Sequence, residues 1–129
     1  MGHNPYQDLC HEIRGRVPGF VAAGIFGFSD GLMLGVESDF PDTNQDHMSG
    51  SHARIFDRMM GFLRLLPPSI AGTMHSVVLD LASATFFMTM DHEHTLVVMI
   101  ACDARTGSLG MLRVIGRKYL ERALSAYGD

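Results

Sequence analysis

The sequence predicts an α+β domain, a three-layer α/β/α sandwich built on five strands in the element order αββαβββα. Three observations carry this. Three segments repeat apolar residues at helical spacing, an Asp-Gly pair joins two β-prone runs near the start, and three further β-prone runs follow one another through short turns. A chain of 129 residues can hold one domain with one core but is short for two, so residues 1–129 are read as a single domain.

The first helix is drawn by Tyr6, Leu9, Cys10, Ile13 and Val17, which share one helical face. Pro5 suits its first turn and Pro18-Gly19 ends it. Residues 1–4 lack the positive and apolar regions of a signal peptide and are a candidate disordered or tag-derived leader. The run from Phe20 to Phe28 is apolar on both faces, as a central strand is, and its glycines allow close approach of another backbone. Ser29-Asp30-Gly31 supplies a hairpin turn, and Leu32 to Glu37 forms the returning strand. Residues 38–50 are polar, carry Pro41, Asp42, Asn44 and Asp46, and are expected as a flexible loop.

A middle helix is expected over residues 51–66, stopped by Pro67-Pro68. Ile55, Phe56, Met59, Met60, Phe62, Leu63 and Leu66 fill one arc of about 160° on it, at 100° per residue. Arg54, Asp57, Arg58, Gly61 and Arg64 lie opposite. So wide an apolar arc exceeds what one sheet face needs, and implies that another molecule covers part of it.

Val77, Leu79 and Leu81 alternate with Val78 and Asp80, the pattern of a half-buried strand. Ala82-Ser83-Ala84 turns the chain into a strand from Thr85 to Met90. Asp91-His92-Glu93-His94 turns it again into a β-prone strand from Thr95 to Cys102. The last helix is expected from about Thr106 to Tyr127. Leu109, Leu112, Ile115, Gly116, Tyr119, Leu120, Ala123, Leu124 and Tyr127 form its inner stripe, and Gly128 suits the position just past its end. Gly116 lies inside that stripe, where close packing on the sheet explains it.

Composition narrows the function. The formal charge is −4 and the ten Lys and Arg residues are scattered, which argues against nucleic acid. No apolar stretch reaches the ~20 residues of a membrane span, so the chain is expected to be soluble and cytoplasmic, without membrane insertion. Two cysteines, Cys10 and Cys102, in a chain able to build a full core read as buried thiols, although spacing leaves a bridge between them open.

The candidate chemistry is thin. His92-Glu93-His94 could place two imidazoles together, but in a hairpin turn and with no further ligand fixed by spacing. Cys102 beside Asp103 could imitate a thiol nucleophile, yet it ends an apolar strand, where an inert buried thiol is far commoner. Gly107-Ser108-Leu109-Gly110 opens a helix and could offer amides to an anion, but the Lys-Ser/Thr pair of a nucleotide loop is missing. Met59, Met60, Met88, Met90, Met99 and Met111 read as core or interface filler. No catalytic, cofactor-binding or metal-ligating residue is assigned, no cofactor is expected, and the chain is not read as an enzyme.

Three stretches together resemble the Roadblock/light-chain-7 family. They are Val17-Pro18-Gly19-Phe20-Val21-Ala22-Ala23-Gly24-Ile25 with Ser29-Asp30-Gly31-Leu32, the meander from Val77 to Cys102, and Leu109-Gly110-Met111-Leu112-Arg113. The resemblance covers nearly the whole chain. It departs at Ala82-Ser83-Ala84, where members often carry Gly, and in the long acidic loop before the middle helix. The resemblance implies a profilin-like five-stranded antiparallel sheet in the order 2-1-5-4-3. It also implies a dimer in which middle helices pack together and third strands pair across a two-fold axis. The expected interface is Ile55, Phe56, Met59, Met60, Leu63, Val77, Val78, Leu79 and Asp80. Pairing of an exposed strand edge and a self-complementary patch agree with it. The resemblance further implies a non-catalytic homodimeric module that engages and regulates a small Ras-like GTPase through the paired helices. Arg54, Arg58 and Phe62 are the candidate partner-binding residues. The alternative is a structural adaptor or scaffold subunit, like a dynein light chain, with no effect on GTP hydrolysis.

Overall fold

The computed structural model describes residues 3–39, 65, 69, 72 and 74–128. Helix α1 runs Pro5–Arg16. Asn4 belongs to the fold, because its side-chain oxygen accepts the N–H groups of Tyr6 and Gln7 at 3.0 and 3.2 Å, satisfying donors that a helix start leaves unpaired. Leu9, Cys10 and Ile13 are buried on one face of α1, and Val17 is buried just beyond it. Gly19 then takes a φ of +68°, and the chain enters strand β1, Phe20–Gly27.

The Asp-Gly turn forms as expected. Gly27 N–H bonds the Leu32 carbonyl and Gly31 N–H bonds the Gly27 carbonyl, both at 3.0 Å. Gly31 has a φ of +69°, and the Asp30 carboxylate accepts the Leu32 N–H at 2.9 Å. Strand β2 covers Met33–Ser38. Asp39 N–H still bonds the Val21 carbonyl at 3.0 Å, so strand pairing reaches the first residues of the segment read as a loop. Residues 40–50, and the predicted helix over 51–66 apart from the exposed Leu65, lie outside the described residues.

Strands β3, Ser76–Asp80, β4, Ala84–Met90, and β5, Leu96–Asp103, form the meander. Helix α2, Leu109–Tyr127, closes the described chain. The Ser108 hydroxyl accepts the Met111 N–H at 3.1 Å, which makes this serine the helix cap and moves the start from the expected Thr106. Gly128 ends α2 with a right-handed φ of −74°, its N–H on the Leu124 carbonyl at 3.2 Å. The left-handed turn expected of a glycine past a helix end is therefore not used.

The five strands make one antiparallel sheet in the order β2-β1-β5-β4-β3. Strand β5 lies at its centre and is buried along all but its last residue. Helices α1 and α2 lie together over one sheet face. Leu9, Ile13, Leu112 and Tyr119 pack there on Ile25, Phe87, Val98 and Ile100. Gly116 explains how closely α2 sits: a β-carbon there would be 2.8 Å from the Phe87 ring. The opposite face buries Met33, Met74, Met88, Met90 and Met99 around Phe26 and Val97. Adaptable sulfur side chains fill this second core, as read from Met88, Met90 and Met99.

Leu81 corrects one detail. Alternation places it with Val77 and Leu79, but β3 ends at Asp80 and Leu81 is 53% exposed. Its N–H closes the tight turn on the Ala84 carbonyl at 2.9 Å, which carries the side chain past the edge of the core. Leu109 and Tyr127, read as part of the inner stripe of α2, are likewise exposed, each at an end of the helix.

Candidate functional site

Among the described residues, strand β3 is an outer strand of the sheet, with β4 its only strand neighbour. Its pairing register is fixed by two bonds beyond its ends, Leu81 N–H to Ala84 carbonyl at 2.9 Å and Met90 N–H to His75 carbonyl at 3.1 Å. Antiparallel ladders alternate, so Val77 and Leu79 exchange bonds with β4, while the backbone groups of Ser76, Val78 and Asp80 point away from the sheet. The side chains divide accordingly. Val77 is buried in the methionine-rich core, Leu79 is half-buried on the same face, and Val78 and Asp80 are exposed. Val78 lies opposite Phe87, so it extends the face that carries α1 and α2.

Of the residues expected at a dimer interface, β3 brings Val77, Val78, Leu79 and Asp80 into one edge. Ile55, Phe56, Met59, Met60 and Leu63 lie outside the described residues, as do the partner-binding candidates Arg54, Arg58 and Phe62.

The other outer strand is closed. Gln7 of α1 presents its side-chain amide to Val36 of β2 as a neighbouring strand would. Its oxygen accepts the Val36 N–H at 3.1 Å and its NH₂ donates to the Val36 carbonyl. The Asn4 NH₂ donates to the Leu34 carbonyl at 3.0 Å. Arg14 adds ion pairs to Glu37, at 3.1 Å, and to Asp39. Gly35 permits this contact, since a β-carbon there would sit 2.7 Å from the Tyr6 carbonyl carbon.

The histidine turn does not gather ligands. His94, at a φ of +56°, places Nε2 2.9 Å from the Met74 carbonyl and stacks on Phe28 with centroids 4.5 Å apart. His92 instead faces His75, at 6.5 Å between ring centres. Among the described residues no group of three or more His, Cys, Asp or Glu is placed to hold a metal ion. Asp91 organises the turn: its carboxylate accepts the N–H groups of Thr95 and Leu96 at 2.8 and 2.9 Å.

Both cysteines are free and buried. Burial, with Glu37 nearby, pushes the Cys10 thiol up to about 12, and burial beside Asp103 also raises Cys102. Neither environment favours the thiolate a nucleophile needs. The glycines at 107 and 110 serve backbone fit in one case: a β-carbon on Gly107 would collide with the Cys102 sulfur, and one on Gly110 would meet nothing.

Sequence reasoning missed the outer face of α2. Arg113, Val114, Arg117 and Lys118 are all exposed there, beside a cleft floored by Met90, Leu120 and Leu124. Their spacing, one turn apart, was the available signal.

An antiparallel five-stranded sheet in this order, with the first and last helices packed together on one face, defines the Roadblock/LC7 fold. Solved structures bear this out. The chain is similar to a Roadblock/LC7 domain from Streptomyces avermitilis at a TM-score of 0.80 and 17% identity, covering 95% of this chain and 98% of that one. It is similar to MglB of Myxococcus xanthus at a TM-score of 0.80 and 15% identity, covering 95% and 94%. An MglB with a tetrameric arrangement matches at 0.70 and 12% identity, covering 95% and 89%. No family model and no curated protein matches the sequence. No helix among the described residues is long and apolar enough to cross a membrane.

Proposed function

We propose that this chain is a non-catalytic homodimeric module of the cytoplasm that engages and regulates a small Ras-like GTPase. The observation that carries the dimer is the asymmetry of the sheet. One outer strand is sealed by its own α1, while β3 offers the outward groups of Ser76, Val78 and Asp80 to a second copy. Antiparallel pairing of two β3 strands is self-complementary and satisfies two-fold symmetry. The apolar arc predicted over residues 51–66 supports a second contact along the same axis, with Met59 and Leu63 in its seam. Likeness to an MglB in a tetrameric arrangement supports assembly of this fold with itself. The GTPase rests on the family resemblance and on the likeness to MglB.

Light scattering of the purified chain should give twice the monomer mass. Met59→Glu or Leu63→Glu should halve it, because a carboxylate is costly to bury in an apolar seam. A small GTPase encoded beside this chain should bind the dimer and change its rate of GTP turnover. A monomeric wild type would defeat the dimer. A GTPase that binds without any change in turnover would favour the scaffold reading instead.

A further inference from the structure

The outward face of α2 carries a charge opposite to that of the chain. The helix holds four basic residues against one carboxylate, Glu121, while the whole chain has a formal charge of −4. One of the four, Arg122, is engaged: its guanidinium meets both oxygens of Glu12 at 2.8 and 3.0 Å and ties α2 to α1. Among the described residues no carboxylate pairs with Arg113, Arg117 or Lys118. Two of these heads lie near rings, Arg113 at 5.9 Å from the Phe87 centroid and Lys118 at 5.8 Å from Tyr119.

Helix stability does not account for them. Cations favour a helix in its last turn, where α2 has none. Arg117 precedes Glu121 by four residues, the weaker order for a pair on one helix face. Val114, between Arg113 and Arg117 on this face, is 70% exposed. Beside it, the cleft between α2 and the β4–β5 turn encloses about 240 Å³ over Met90, Leu120 and Leu124. Arg117, His75 and His92 line it together with the carboxylates of Asp91 and Glu121, so it is the row Arg113, Arg117 and Lys118 outside the cleft that carries the positive charge.

We infer that this face docks an acidic segment of a partner protein, whose carboxylates meet Arg113, Arg117 and Lys118 and one of whose apolar side chains enters the cleft. Charge complementarity selects the acid. The cleft selects a peptide over a lipid surface, because it admits a side chain, whereas Val114 alone protrudes and gives a bilayer little apolar area to hold. The inference stands on α2 and the cleft and is independent of the dimer and of any GTPase.

The test uses the full chain and a fluorescent peptide of about 15 residues, alternating Glu and Ala around one central Leu, read by anisotropy at about 50 mM salt. Saturable binding is expected. It should fall about tenfold in the double variant Arg117→Glu, Lys118→Glu, and should weaken several-fold when the peptide Leu becomes Ser. Both substituted side chains are exposed, so the variant keeps its fold, which circular dichroism checks. Absence of saturable binding, binding unchanged by the double variant, or equal binding of the Ser peptide overturns the inference. So does binding to vesicles with about 30% phosphatidylserine in place of the peptide, which assigns the face to a membrane.

Discussion

The two edges of the sheet are built on opposite plans. At β2 the helix that precedes the sheet folds back and completes the ladder with side chains. Gln7 bonds both backbone groups of Val36, and Asn4 takes the Leu34 carbonyl. At β3 no described side chain plays that part, and the exposed Val78 stands where a further strand would lie. A sheet edge is a template for pairing, so a chain that caps one edge and leaves the other decides where pairing can occur. The α1–β2 contact is thus more than packing: it removes the β2 edge from strand pairing.

The largest effect should come from breaking the sealed edge. Gly35→Val would place a side chain against the Tyr6 and Gln7 backbone, at contacts of 2.7 and 2.8 Å for the β-carbon alone. Backbone cannot yield as a side-chain tip can. Loss of about 3 kcal/mol in urea unfolding is expected, at the upper end for overpacking. A smaller loss, about 2 kcal/mol, should follow Gln7→Ala, which leaves the Val36 N–H and carbonyl without their partner. Hydrogen exchange at the Val36 amide should then quicken. If exchange stays slow, the edge is closed by something other than Gln7.

The open edge is probed by Val78→Pro. The Val78 N–H points away from β4, so proline removes no bond of the sheet itself, yet it cannot donate to a neighbouring strand. Dimer dissociation measured by dilution should become about tenfold easier, equivalent to about 1.4 kcal/mol, with the monomer still folded. Unchanged dissociation would mean that β3 does not pair with a second copy.

How much of this was legible depended on whether the signal was periodic or a contact between distant segments. The hairpin at Asp30-Gly31 declared itself by local chemistry, and β1, an interior strand, by apolar residues on both faces. The sequence pointed to the glycines of the first strand for close approach of a backbone, but the backbone of α1 lies against Gly35 of the second. Alternation tells which residues share a face, but not which glycine a helix crosses. Gln7 gave no warning, because its partner is 29 residues away and a polar residue on a helix reads as solvent-facing. The basic face of α2 was spelled out at one-turn spacing, yet the apolar stripe on the other side of the same helix drew the reading. Of the expected interface, the strand half was legible as a half-buried strand because Val77 to Asp80 alternate, while its place at the sheet edge came from the family resemblance.

The smallest effect concerns what holds the β3 edge in place among the described residues. Asp91 fixes the β4–β5 turn, and the turn in turn positions His94 against the Met74 carbonyl, just ahead of β3. Burial alone pushes the Asp91 carboxyl up, but the N–H groups of Leu96 and Thr95 outweigh it and hold the group below its ordinary value. A carboxyl depressed in the folded state contributes stability above its unfolded value, near pH 4, and loses that contribution as pH falls through the folded value. Wild type should therefore exceed Asp91→Asn at neutral pH, by less than about 1 kcal/mol, since water reaches part of the carboxylate. The gap should close as pH falls below about 4, through the depressed folded value. A gap that persists in acid would show that the turn depends on the shape of the side chain and not on its charge. The edge at β3 would then be held by geometry that titration leaves untouched.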